Sequence, residues 1–200
     1  MNNTIYYLAT IPFESACRID ILPENHPSVH LHGHSYTASV RVPMPLPPIN
    51  DSKFQEQVED SKFQEQVEDS KFQEPVTFLK EHLKNTIEPL NYDFLNNHLD
   101  IPTDENLARW VHKKIDLEGI DRVAIQSTHD SGVDLDNNGH AHIWRRYRFE
   151  AAHQLPNVPE GHQCGRMHGH GFEVILHANQ NLNTDESHIA DFAVYFEQIN

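Results

Sequence analysis

The sequence predicts an α+β fold: an antiparallel sheet with a helix pair on one face, present as one degenerate full unit followed by a partial second unit. Three observations carry this expectation. Residues 13–36 align without a gap on residues 149–172, at an offset of 136, and nine of the 24 positions are identical. In each copy two apolar, strand-like runs flank a loop bearing Pro, Asn and Gly. Two amphipathic helical patterns then follow the first pair of strands.

The first copy opens with a strand over Ile5–Ala16, passes through a loop, and returns as a strand over Leu31–Val42. PMPLPPIN (43–50) breaks that strand, because proline donates no ladder hydrogen bond. A local repeat comes next, DSKFQEQVE at 51–59 and 60–68 and DSKFQEPVT at 69–77. Nine residues advance a helix by about 900°, or two and a half turns. Phe54, Phe63 and Phe72 would therefore alternate sides of a continuous helix, and no single apolar stripe results. The repeat, 51–77, is expected to be a solvated insertion, partly helical at most and without chemistry.

A first helix is predicted from around Pro75, a favourable first-turn residue, with Leu79, Leu83, Ile87 and Leu90 on one face. A second begins in PTDENLARWVHKKI (102–115): Thr103 caps it, Asp104 and Glu105 sit in its first turn, and Leu107, Val111 and Ile115 make the stripe. Strands are expected at 122–127 and near 133–136, and a polar DNNGHA linker (136–141) leads to copy two. There the strands are Trp144–Ala152 and Met167–His177. The domains are thus 1–136, a degenerate full unit, and 142–200, the N-terminal strand pair of a second, catalytic-type unit.

Charge and composition exclude several functions. Thirty acidic against 15 basic side chains leave a formal charge of −15, which repels a phosphate backbone, so no nucleic-acid partner is expected. No apolar run approaches the ~18 residues of a membrane span, and MNNTIYYLATIPFES lacks the basic and long apolar segments of a signal peptide. The two cysteines form no disulfide framework. Together these predict a soluble, cytoplasmic protein without a membrane partner.

Sixteen histidines remain to be explained, and their spacing is informative. Residues two apart in a strand share a face, so His168 and His170 of His-Gly-His project together. If the two strands pair, His153 at the inner end of FEAAH supplies a third imidazole. Three histidines with an open fourth position form the pattern of catalytic rather than structural zinc. Cys164, four residues before His168, is a candidate acid/base, because nearby positive charge lowers a thiol from about 8.5 toward neutrality. A fourth zinc ligand and a small packed side chain are its other readings.

FEAAHQLPNVPEGHQCGRMHGHGF resembles the opening strand pair of the 6-pyruvoyl-tetrahydropterin synthase and 6-carboxytetrahydropterin synthase family, which has the tunnelling fold or T-fold. The matching motifs are F-x-A-x-H followed by P-E-G-H-x-C-x-x-x-H-G-H. The resemblance implies that His153, His168 and His170 bind Zn2+ and that Cys164 is catalytic. It implies a pterin triphosphate, 7,8-dihydroneopterin triphosphate, as the small-molecule substrate, a homo-oligomeric assembly, and active sites formed between subunits. The short Cys-x₃-His-Gly-His spacing resembles the branch that makes 6-carboxytetrahydropterin for queuosine precursors, with acetaldehyde and triphosphate as the other products. Alternatives are 6-pyruvoyl-tetrahydropterin synthase activity and a non-catalytic zinc- or pterin-binding T-fold protein.

Copy one departs from that pattern. Cys17 stands at the first zinc histidine, Ser28 at the catalytic cysteine, and Asn91-Tyr92 at the family's proton-relay Asp-His. Ser127-Thr128 stands at the Glu-Thr whose carboxylate anchors the pterin. Copy one is therefore expected to be catalytically silent, with Cys17, His32 and His34 left as a further metal candidate. Copy two keeps the metal and thiol motif, while the sequence to Asn200 contains no second relay pair or anchoring Glu. Deletion of residues 51–68, two whole repeats, should leave the melting temperature and zinc content nearly unchanged. A drop above ~5 °C, roughly 1 kcal/mol or more at this size, would show that the repeat packs on the core.

Overall fold

The computed structural model describes residues 4–44 and 67–180. The first two repeats and the final DFAVYFEQIN segment, on which some expectations rest, lie outside the described residues apart from Val67 and Glu68. Strand β1 (Tyr6–Cys17) and strand β2 (His32–Pro43) pair antiparallel along their whole length. Their burial alternates with the two-residue period of the sequence: Tyr7, Ala9, Phe13 and Cys17 face inward with Tyr36, Ala38, Val40 and Val42. Helix α1 (Val67–Ile87), the two-residue strand β3 (Asp93–Phe94) and helix α2 (Asp104–Lys114) follow. Strands β4 (Arg122–Thr128), β5 (Ser131–Asp136), β6 (Ala141–His153) and β7 (His168–Gln180) come next among the described residues.

All seven strands form one sheet in the order β3-β1-β2-β4-β5-β6-β7. Each neighbouring pair is antiparallel except β1 and β3, which meet in parallel at Ser15–Asp93 and Ala16–Phe94. Among the described residues, no helix is long and apolar enough to cross a membrane.

The helices cover one face of β1, β2, β4 and β5. Leu79, Leu83 and Ile87 of α1 and Leu107, Ala108 and Val111 of α2 are buried against Val40, Val42, Val123, Ile125 and Val133. Each such Leu, Ile or Val contributes about 1.5–3 kcal/mol on leaving water. The α2 cap is as expected, with the Asn106 N–H donating to the Thr103 hydroxyl at 3.4 Å. Helix α1 differs from expectation. It starts eight residues earlier, inside the repeat, and carries Pro75 in its interior. Glu68, Lys71, Gln73 and Glu74 before it are favourable helix formers, while Pro75 omits one hydrogen bond of the helix.

The stretch expected as a polar linker is instead a tight turn. The Asp136 N–H donates to the His140 carbonyl at 3.0 Å, Gly139 adopts φ +80°, and β6 begins at Ala141. Consequently β6 adds directly to β5, with Leu135 opposite Ala141 and Ser131 opposite Arg145. The β6–β7 hairpin repeats the β1–β2 register with every partner moved on by 136 residues: Phe13 opposite Tyr36 becomes Phe149 opposite Phe172. Burial differs sharply between them. Phe13 is 3% exposed beneath the helices, whereas Phe149 is 51% exposed.

The junction of the two hairpins is tight at Gly132. A Cβ there would lie 2.6 Å from the Ile125 carbonyl oxygen and 2.8 Å from a ring carbon of Trp144 on β6. Because a backbone oxygen cannot swing away, Gly132→Ala should cost about 1–3 kcal/mol as overpacking. The melting temperature should fall by roughly 4 °C or more. An unchanged melting curve would show that β5 and β6 are less closely joined.

Candidate metal centres and the cavity beside them

Strand pairing brings together the three histidines singled out in the second copy. His153 lies opposite His168 across the β6–β7 ladder, and His170, two residues along, shares its face. Their ligand atoms all lie within 4.8 Å of one another, and the rings are 4.5–4.9 Å apart by centroid. The Nδ1 of His168 is 2.8 Å from the Arg166 carbonyl oxygen. A carbonyl only accepts, so Nδ1 carries the proton and Nε2 is left with its lone pair, the arrangement in which second-shell groups hold a metal-binding imidazole. The donor set therefore fits a dication that prefers N ligands, which these three imidazoles would hold.

Cys164 does not join this trio. It sits partly buried in a 3-10 turn (Gln163–Gly165), where its N–H donates to His162 Nδ1 at 3.1 Å and its carbonyl accepts from the Leu155 N–H at 2.9 Å. Both contacts fix the backbone and leave the thiol unclaimed for ligation. The first copy builds the same turn: the Ser28 N–H donates to His26 Nδ1 at 3.1 Å. A hydroxyl occupies the place of the thiol.

A second group of three, Cys17, His32 and His34, has ligand atoms within the same 4.8 Å. Cys17 Sγ is 3.5 Å from His32 Nε2 and 3.5 Å from the Tyr36 hydroxyl. Burial raises the Cys17 thiol above its ordinary pKa, partly offset by the Tyr36 hydrogen bond. Burial, and then the charge of His32, lower the His34 pKa below its ordinary value.

This group opens on a cavity of about 240 Å³ that the sequence did not foretell. Its far wall is the N-terminus of α2, with Asp104 and Glu105, together with Ser127 of β4. Trp144 and Arg145 of β6 close another side, so both hairpins line it. Asp104 was legible only as an acidic first-turn residue. Asp104 is half-buried at the cavity wall: burial pushes its carboxyl up to about 7, the charge of Glu105 adds to this, and the Ser127 hydroxyl, donating at 2.6 Å, opposes it. Near neutral pH such a group both donates and accepts a proton. No signal of period or spacing reveals it.

The LNYDFLN segment has a structural role here. Asn91 Oδ1 accepts the Glu14 N–H at 3.1 Å, and the Tyr92 N–H donates to the Glu14 carbonyl at 2.6 Å, fastening the segment to β1. Tyr92 itself is 83% exposed with φ +58°. A different carboxylate–imidazole pair forms nearby, Asp93 Oδ2 to His98 Nε2 at 2.7 Å, and that hydrogen bond holds the Asp93 carboxyl below its usual range.

Asp104 makes stability fall with rising pH. Its folded pKa exceeds the unfolded one, so the folded chain binds the extra proton between about pH 4 and about 7, and the stability present below that window is lost across it. Asp104→Asn keeps an acceptor for Ser127 and removes the titration. Its melting temperature should exceed that of the parent at pH 8 and converge with it near pH 4. Parallel curves at all pH values would contradict the raised pKa of this carboxyl.

The family model described as 6-pyruvoyl tetrahydropterin synthase matches residues 9–138 and again residues 142–200. A solved 6-pyruvoyl tetrahydropterin synthase from Caenorhabditis elegans is similar at 14% identity, with a TM-score of 0.47, over 68% of this chain and 96% of its own. With nearly its whole length matched in two segments, each containing one of the two ligand trios, the chain belongs to the 6-pyruvoyl tetrahydropterin synthase family.

Proposed function

We propose that this chain is a tandem pterin enzyme whose second unit converts 7,8-dihydroneopterin triphosphate to 6-carboxytetrahydropterin, and whose first unit is a pseudo-subunit. The observation that carries this reading is the three-imidazole group of β6 and β7, with a thiol presented four residues before His168 in a turn whose backbone is pinned. His153, His168 and His170 would hold Zn2+, which supplies Lewis acidity toward the substrate's side-chain hydroxyls when bound. His168 is oriented for this by the Arg166 carbonyl. Cys164 moves protons, since a thiol can be brought near pH 7 by neighbouring positive charge, which a serine hydroxyl cannot without a dedicated base.

The silence of the first unit is supported by its own chemistry. Ser28 has no ionisable thiol, and Asn91 spends its side-chain oxygen on the Glu14 backbone. At Ser127 the hydroxyl donates to Asp104. Homo-oligomeric assembly, in which neighbouring chains add groups to the second unit's site, belongs to the same proposal.

Elemental analysis tests the ligands and turnover tests the thiol. His168→Ala should lose the zinc held by the second unit, and full zinc occupancy in that variant would sink the ligand assignment. Cys164→Ala should abolish turnover of dihydroneopterin triphosphate with zinc retained, while Ser28→Ala changes neither. Zinc loss in Cys164→Ala would make the thiol a ligand. Equal activity loss in the Cys164 and Ser28 variants would make the first unit catalytic.

A further inference from the structure

We propose that Cys17, His32 and His34 hold a second metal ion, in a mixed thiolate–imidazole centre beside the cavity that both hairpins line. The three donors converge from two paired strands: Cys17 lies directly opposite His32, and His34 shares the face of His32. All their ligand atoms lie within 4.8 Å of one another, and Cys17 Sγ is already 3.5 Å from His32 Nε2.

Supporting groups are in place around these donors. His32 Nδ1 donates to the His30 carbonyl at 2.8 Å, which leaves Nε2 turned toward the sulfur. The Tyr36 hydroxyl stands 3.5 Å from Sγ, positioned to donate to a coordinated thiolate. Gly33 between the two histidines brings the strands close, since a Cβ there would meet the Ser15 carbonyl oxygen at 3.2 Å. Cys17 is 2% exposed, so a dication placed here is shielded from bulk water on the thiolate side.

Ligand chemistry gives this centre a different character from the second unit's. Three neutral imidazoles leave a dication its full charge, whereas one thiolate reduces the net charge by one. A bound oxygen is acidified less, and the soft sulfur favours Zn2+ over hard cations such as Mg2+ or Ca2+. Cys17, His32 and His34 line the same cavity as Asp104 and Trp144. None of this depends on the activity proposed for the second unit.

Cobalt titration of the full chain, after chelation of resident metal, tests the proposal. Two Co2+ ions should bind per chain, with the near-ultraviolet charge-transfer absorption of a thiolate–cobalt bond. Cys17→Ser should abolish that absorption and reduce uptake to one ion, whereas Cys164→Ser should leave the absorption in place. Because Cys17 is buried, His34→Gln, at a half-buried position, provides a second variant that should also reduce uptake to one ion, with near-ultraviolet circular dichroism reporting an intact fold. His168→Ala should remove the other ion and keep the absorption. A single ion that His168→Ala removes and His34→Gln does not would overturn this proposal and leave the second unit's ligands standing. Absorption that survives Cys17→Ser and vanishes in Cys164→Ser would overturn it equally.

Discussion

The register of the antiparallel hairpin is the constraint on which both ligand groups depend. Cys17 opposite His32 and His153 opposite His168 each set one donor across a ladder from a second, and the strand period adds a third on the same face. A slip by one residue would turn every one of these side chains to the other face. In the first hairpin that register is enforced by burial, since Phe13, Tyr36, Val40 and Val42 would move from the core into water. In the second, the inward row remains largely uncovered among the described residues, and the paired residues themselves, Phe149 stacked on Phe172 at 5.2 Å, hold the alignment.

The two hairpins are one physical object because β6 adds to β5 through a tight turn. Trp144 packs against Gly132, and in doing so brings Arg145 and the indole to the cavity of the first unit. The wall of a site on β1 and β2 is therefore supplied by a strand more than a hundred residues later. Helix α2 supplies the opposite wall. Its N-terminus ordinarily stabilises a carboxylate through the unpaired N–H groups, yet burial dominates at Asp104 and raises its pKa to about 7. Desolvation exceeds the helix-end attraction because the carboxyl faces a small cavity rather than bulk solvent.

The same backbone thus presents two chemically distinct groups of candidate ligands. The second unit offers three imidazoles, largely exposed, with a thiol held apart from them. The first offers a buried thiol among its donors, a hydroxyl where the second has its thiol, and a carboxyl across the cavity. Exchange of donor types between matching positions, with the register kept, separates the chemistry of the two without altering the fold.

Period and spacing alone marked the four long strands to within a few residues, the helix stripes, the Thr103 cap and the shared face of His168 and His170. These are local properties: alternation at two, apolar recurrence at three and four, and the offset of 136 between copies. Only the tertiary structure decided the rest. Pro75 lies inside α1 although a proline reads from the sequence as a first-turn residue. DNNGHA became a turn because β5 had an open edge for β6 to pair with. Asp104 became a half-buried, near-neutral acid, and Trp144 a cavity wall, through contacts between residues far apart in sequence. A side chain's environment is set by what packs against it, and neither periodicity nor spacing records that.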